Sequence, residues 1–325
     1  MKKSLIALAV AASFVGIAQA ENTTTLYGAL SAETAFSDSK NDKEDNKWDL
    51  NYGTAKFGIK GTEDLSNGLQ AIYKMEFKFG SEAGVSETRY GYVGLKGDFG
   101  TLTLGKTDSL YGDLTTYNDI FENGFFDDEN ANYSAIRGGS RISKQIRYDS
   151  PDMSGLHFGI AGILDGSHTV ATHLKKDDSK SFVGFQTGAW YEQNGLYASL
   201  AYSSLDGDWI AKTNQGSTEV IGANIGYEND QFRVGLGAEH AASLGEKYNL
   251  AGAYYLGPNT FRAGFAVSDS DEYNAGETAY TYALGYQYNF SKRTFTYIDG
   301  TYIDHGDNEK ADDGYTVNLG LRHDF

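Results

Sequence analysis

Apolar and polar residues alternate with period two along most of this chain, and helical spacing is nearly absent. From position 280, Tyr280, Tyr282, Leu284, Tyr286, Tyr288 and Phe290 share one face, with Thr281, Ala283, Gly285, Gln287 and Asn289 on the other. From 232 the apolar set is Phe232, Val234, Leu236 and Ala238, against Arg233, Gly235, Gly237 and Glu239. From 69 it is Leu69, Ala71, Tyr73, Met75, Phe77 and Phe79, against Gln70, Lys74, Glu76 and Lys78. Successive side chains of a strand point to opposite sides, so this spacing predicts half-apolar strands. The Gly/Asn/Asp/Ser clusters between them predict turns.

The pattern yields sixteen strands: 24–36, 48–61, 68–80, 86–97, 100–106, 141–150, 156–163, 181–192, 195–203, 217–228, 231–240, 246–256, 259–268, 278–290, 293–303 and 314–325. Short turns at 64–68, 97–100, 193–195, 229–230, 257–259 and 291–293 alternate with longer polar loops at 37–47, 107–140, 164–180, 204–216, 269–277 and 304–313. A soluble sandwich would alternate as well. Here, however, Tyr and Phe gather toward strand ends, and the opposite face is small or charged, whereas a sandwich core favours Val, Ile and Leu. Aromatic girdles, an even strand count and turns shorter on one side are the marks of a transmembrane barrel. The prediction is one all-β domain, a 16-stranded antiparallel transmembrane β-barrel over 21–325.

The ends and the composition sharpen this. Lys2 and Lys3, the apolar run Leu5–Ile17 and Ala18-Gln19-Ala20 form a signal peptide over 1–20, with cleavage expected after Ala20. A mean hydropathy of −0.46 leaves no room for a bundle of membrane helices. The absence of Cys removes thiol catalysis, cysteine metal sites and disulfide scaffolds together. Without Lys2 and Lys3, 25 basic residues face 44 acidic ones, a mature charge of −19. Nucleic acid is a poor partner for such a surface, while cations suit it.

Four strings carry a family resemblance. They are Thr25-Leu26-Tyr27-Gly28, Gly100-Thr101-Leu102-Thr103-Leu104-Gly105-Lys106, Ser291-Lys292-Arg293-Thr294 and Gly320-Leu321-Arg322-His323-Asp324-Phe325. In this order, spanning the mature chain and ending on Phe, they resemble the Gram-negative trimeric general porins. That resemblance implies an outer-membrane homotrimer set in lipid and lipopolysaccharide. Each barrel would be a passive, weakly selective aqueous channel for ions and small hydrophilic solutes. It also implies that the closing strand, through Phe325, is read by the outer-membrane assembly machinery; Tyr315, Val317, Leu319, Leu321, His323 and Phe325 share the face this requires.

In the resembling family the third external loop folds into the lumen, and its acids face bases of the wall. The corresponding loop, 107–140, carries Asp113, Asp119, Glu122, Asp127, Asp128 and Glu129. Asp119-Ile120-Phe121-Glu122-Asn123-Gly124 resembles the family's loop tip, one residue shorter and without its Pro. Strand parity puts Lys56, Lys74, Arg89 and Arg141 on the lumen side, and the family's wall bases match Lys56, Arg89 and Arg141. Ala29 stands where some relatives carry Lys. Asp113, Asp119 and Glu122 are thus expected across a constriction from these four bases, with a modest preference for cations.

No catalytic constellation is visible. The six His lack ligand spacing, and no Gly-x-Ser-x-Gly elbow occurs. Asp269, Asp271 and Glu277 lack the Gly and spacing of a calcium loop, so neither a metal nor a cofactor is expected. Two other functions fit the same barrel. A sugar-specific porin would draw on Tyr111, Tyr117, Phe121, Phe125, Phe126 and Tyr133 of the long loop; an adhesin or receptor would use its external loops.

Overall fold

The computed structural model describes residues 22–39, 47–80, 84–122, 140–164, 182–206, 217–242, 245–269, 278–306 and 313–325. The export segment 1–20, with its cleavage site after Ala20, lies outside them, as do Asp127, Asp128 and Glu129. In chain order the strands begin β1 (Thr23–Ser39), β2 (Lys47–Asn51), β3 (Ala55–Asp64), β4 (Gln70–Phe79), β5 (Val85–Gly97) and β6 (Gly100–Asp108). A short helix, α1 (Leu110–Thr115), follows. Then come β7 (Arg141–Asp149), β8 (Leu156–Leu164), β9 (Phe182–Gln193), β10 (Leu196–Asp206), β11 (Ser217–Glu228) and β12 (Phe232–Ala241). The chain ends with β13 (Gly245–Leu256), β14 (Asn259–Asp269), β15 (Thr278–Asn289), β16 (Thr294–Asp304) and β17 (Gly314–Asp324).

Each strand pairs antiparallel with its sequence neighbour, and β1 pairs with β17, closing the ring. Closure leaves no edge with unpaired backbone groups. β2 and β3 both lie along β1, so seventeen segments make a sixteen-stranded wall. The predicted single strand 48–61 is therefore corrected to two. Leu30 pairs with Ala55 and Glu33 with Asn51, which leaves Tyr52, Gly53 and Thr54 opposite only Ser31 and Ala32. This is a bulge of one extra residue. Ser31 stabilises it: its N–H donates to the Thr54 carbonyl at 2.6 Å, and its hydroxyl accepts from the Thr54 N–H. The extra residue reverses parity, so Trp48 and Leu50 point outward as even positions, but Phe57 and Ile59 as odd ones.

The outward face is apolar. Leu284 is 71% exposed and Leu236 54%, values that would be costly in water and are natural against lipid. Aromatic residues form rows on this face: Phe232, Tyr254, Phe261 and Tyr286 are successive cross-strand partners, as are Phe265, Tyr282, Tyr302 and Tyr315. The sequence pattern had placed Tyr and Phe toward strand ends, and these rows sit on either side of Leu284. The inner face is mainly polar and small, and its apolar patch lies under α1.

The ring is sealed at Gly28 and Phe325. Their backbones exchange two hydrogen bonds, each 3.0 Å. The Phe325 ring lies where a Cβ on residue 28 would project, so only glycine lets the terminal aromatic fold over the seam. Gly28→Val should therefore destabilise the barrel by roughly 1–3 kcal/mol, the usual cost of overpacking. It should lower the urea midpoint of the detergent-folded protein, and Phe325→Ala in the same chain should recover part of the loss. Strictly additive effects of the two substitutions would show that this contact does not seal the ring.

Candidate functional site

Residues 109–122, between β6 and β7, run along the inner wall and touch one strand after another. Ser109 caps α1, its hydroxyl accepting from the Gly112 N–H at 3.1 Å and donating to Gln186 of β9 at 3.0 Å. Leu110, Tyr111 and Leu114 pack on inward-facing Ile142, Ala161, Ile163, Val183, Ala201, Leu205, Val220 and Ala241 of β7 to β12. The Tyr111 hydroxyl donates to Glu239 at 2.9 Å. Helix ends leave carbonyls unsatisfied; here the wall supplies donors, because the Leu114 carbonyl accepts from Ser199 at 2.6 Å and from Asn224 at 3.1 Å.

Beyond the helix the chain continues around the ring. Tyr117 lies over Gly226 and Gly235, whose missing Cβ atoms make room for its ring. It stacks on Tyr197 at 4.5 Å with a 9° interplanar angle, and Arg233 sits 4.0 Å from its centroid. The amides of Asn118 and Asn249 of β13 meet at 2.5 Å. Arg262 of β14 donates to the Ile120 carbonyl at 2.9 Å and to Asp299 of β16 at 2.9 Å. The Glu122 N–H donates to the other Asp299 oxygen at 3.1 Å. The Glu122 carboxylate accepts from Arg322 of β17 at 2.9 Å.

This segment covers the inner wall from β8 round to β17, touches Ile142 and Arg147 of β7, and leaves β3 to β6 uncovered by described loop residues. Lys56, Lys74 and Arg89 belong to strands of that open arc, and Arg141 to β7 at its border. Their neighbours given by the described residues are wall groups. Arg89 pairs with buried Glu76 at 2.5 Å, and Tyr27 donates to the same carboxylate at 2.8 Å. The Lys74 ammonium sits 3.3 Å from the Tyr90 ring centroid. Arg141 approaches Asp108 at 3.6 Å, and Lys56 lies one inward rung from Glu76.

Two of the loop acids bond other wall bases. Asp113 bonds Arg147 at 2.6 Å, and Glu122 bonds Arg322. Asp119 is exposed, and its N–H donates to the Thr116 carbonyl at 3.0 Å. Arg147 and Arg322 had the parity of lumen residues too; only the register of the closed ring shows which loop acid each one meets. Arg262 and Asp299 were likewise missed, because each looks like an isolated charge among uncharged residues.

Electrostatics single out Asp113. Its side chain is 39% exposed, but it lies inside the ring with protein on most sides. This burial pushes its carboxyl up to about 6, against the pull of Arg147 and with repulsion from Asp108 and Asp149. No group of three or more potential metal ligands occurs among the described residues.

The arrangement is a ring closed to lipid, with charged groups of both signs around an inner space and a polypeptide segment laid along one side. Comparisons with known proteins agree. The family model for the Gram-negative porins matches residues 7–308. An outer membrane porin protein of Bordetella pertussis is 27% identical, with both chains covered completely. Among solved structures, an anion-selective porin from Comamonas acidovorans superposes with a TM-score of 0.75 at 22% identity, covering 94% of this chain and 100% of that one. OmpT of Vibrio cholerae, in a trimer form, gives 0.67 at 16% identity, covering 94% and 99%. The chain belongs to the Gram-negative porin family and forms an aqueous channel in the outer membrane.

Proposed function

We propose that the channel is passive and weakly cation-selective. In this reading the passage runs between the loop segment, with Asp113, Asp119 and Glu122, and the open arc, with Lys56, Lys74, Arg89 and Arg141. The observation that carries it is the one-sided path of residues 109–122, which narrows the lumen from the β8–β17 side and brings acids into a space whose other wall is basic. Opposed charges in a narrow aqueous passage orient water and dipolar solutes and penalise apolar ones. Permeation needs no bound intermediate and no chemical step, so the protein acts as a channel and not as an enzyme.

The sign of selectivity follows from two contributions. The mature charge of −19 draws cations to both mouths, but charges beyond a Debye length of about 8 Å are screened. Charges in the passage are screened less, and there Arg147 and Arg322 offset Asp113 and Glu122. The preference is therefore modest, and Asp119 contributes to it more than acids at the strand tips. The protein matures by cleavage after Ala20 and assembles as a homotrimer, a reading supported by the signal-like N-terminus and by the trimer form of OmpT. Lipopolysaccharide, outer-membrane lipid and, through Phe325, the assembly machinery are its other partners.

Planar-bilayer recording of the pure protein in a salt gradient tests the channel reading. Asp119→Asn should move the reversal potential toward anions, and Asp206→Asn, at the rim of β10, should move it less. Equal shifts would assign selectivity to diffuse surface charge and remove Asp119 from the passage.

Asp113 adds a pH dependence of fixed sign. Its raised pKa means that it is ionised above about pH 6 and neutral below. Falling pH then removes a negative charge and leaves Arg147 facing the passage with the Asp149 carboxylate, 3.0 Å away, and the Asp108 carbonyl, at 3.2 Å, as partners. The reversal potential should step toward anions with a midpoint near pH 6, and Asp113→Asn should hold the low-pH value throughout. A step of the same size persisting in Asp113→Asn would assign it to another group.

A further inference from the structure

Glu122 reads from sequence as a selectivity residue, but its surroundings are those of an anchor. Its backbone and its side chain are held by two different wall strands: the N–H by Asp299 at 3.1 Å and the carboxylate by Arg322 at 2.9 Å. Asp299 is itself fixed by Arg262, and the two side chains are only 3% and 4% exposed. Arg262 reaches back to the loop at the Ile120 carbonyl and lies 5.6 Å from the Phe121 ring centroid. Arg322 is steadied in turn by Asp324 at 3.0 Å. Charge thus alternates from Arg262 to Asp299, and from Glu122 to Arg322 and Asp324, with the loop backbone bonded to the first pair.

We propose that Arg262 and Asp299 are positioning residues for the passage, a latch that clamps residues 120–122 against the wall and so sets how far the loop reaches into the lumen. Two buried charges, meeting across Gly285 of β15, are expensive unless hydrogen bonds compensate them. Arg262 spends one nitrogen on Asp299 and another on the loop, and Asp299 spends its two oxygens in the same way. The loop backbone therefore supplies one partner to each member of the pair, while Arg262 Nε has none among the described residues. The two halves of the segment are held by different forces: α1 by apolar contact and residues 120–122 by ionic hydrogen bonds. Loosening the latch should free the distal half alone, because α1 stays seated on its own patch.

The proposal rests on the reading of a passage beside the loop. Single-channel recording of Arg262→Gln should show brief closures at least about tenfold more frequent than in the parent protein, the scale set by losing a charge-assisted hydrogen bond. Asp299→Asn, which keeps shape and one acceptor, should lie between. The chain has no Cys, so Asn118→Cys with Asn249→Cys, bridged by a short bis-methanethiosulfonate that forms a disulfide with each thiol, offers a reversible tether beside the latch. In the Arg262→Gln background the bridge should return the closure frequency toward the parent value, and reductant should undo it. A purely structural role for Arg262 would not respond to the tether.

Parent-like recordings from Arg262→Gln in an intact barrel would overturn the latch and leave the channel reading standing, whereas a parent protein that does not conduct would overturn the channel reading itself. If neither Arg262→Gln nor Asp299→Asn yields a folded barrel, the pair serves the wall and not the loop, and the proposal fails.

Discussion

Every peptide N–H and C=O that faces hydrocarbon must be paired within the protein, and nearly everything about this structure follows from that demand. A sheet meets it only by closing on itself. Closure fixes the antiparallel pairing of β1 with β17 and sets inward and outward faces by parity. It also makes the final residue a structural member, because Phe325 completes the backbone ladder opposite Gly28. The bulge at Tyr52–Thr54 shows how strictly the demand holds. One extra residue is accommodated by enlisting the Ser31 hydroxyl as an acceptor, and the parity of the outward face is restored on the far side.

Inside the ring the same accounting applies to a segment that is not part of the sheet. Residues 109–122 have their own backbone groups to satisfy, and the wall supplies partners at intervals that match the chain's advance. Gln186 and Ser199 serve the helix, Arg233 the Tyr117 carbonyl, and Arg262 and Asp299 the residues beyond. The wall acts as a template. What the described loop residues leave open is β3 to β6, so in the proposed reading the asymmetry of charge across the channel comes from where the loop is laid.

Much of the fold could be read from the sequence because its signal is local. Period-two alternation, outward Tyr and Phe, and Gly-rich turns each depend on a few neighbouring residues, and they placed all sixteen wall strands. The break within 48–61 escaped because Trp48, Leu50, Phe57 and Ile59 all look like strand residues, and nothing local reveals that the parity changes between them. The site was legible only in part. Parity put Lys56, Lys74, Arg89 and Arg141 on the inner face, but which acid meets which base depends on register around a closed ring, a property of pairs far apart in the chain. Arg322 and Glu122 stand two hundred positions apart, and no local pattern could have joined them.

The patch under α1 changes what the word lumen means for this protein. Barrel interiors of this size are ordinarily treated as water-lined, yet Ile163, Val183, Leu205 and Val220 point inward and are as dry as the core of a soluble enzyme. The ring encloses two interiors side by side, one wet and one packed. Inward positions on β8 to β11 are therefore governed by volume and shape, while those on β3 to β6 are governed by charge and hydration, although both belong to a single sheet.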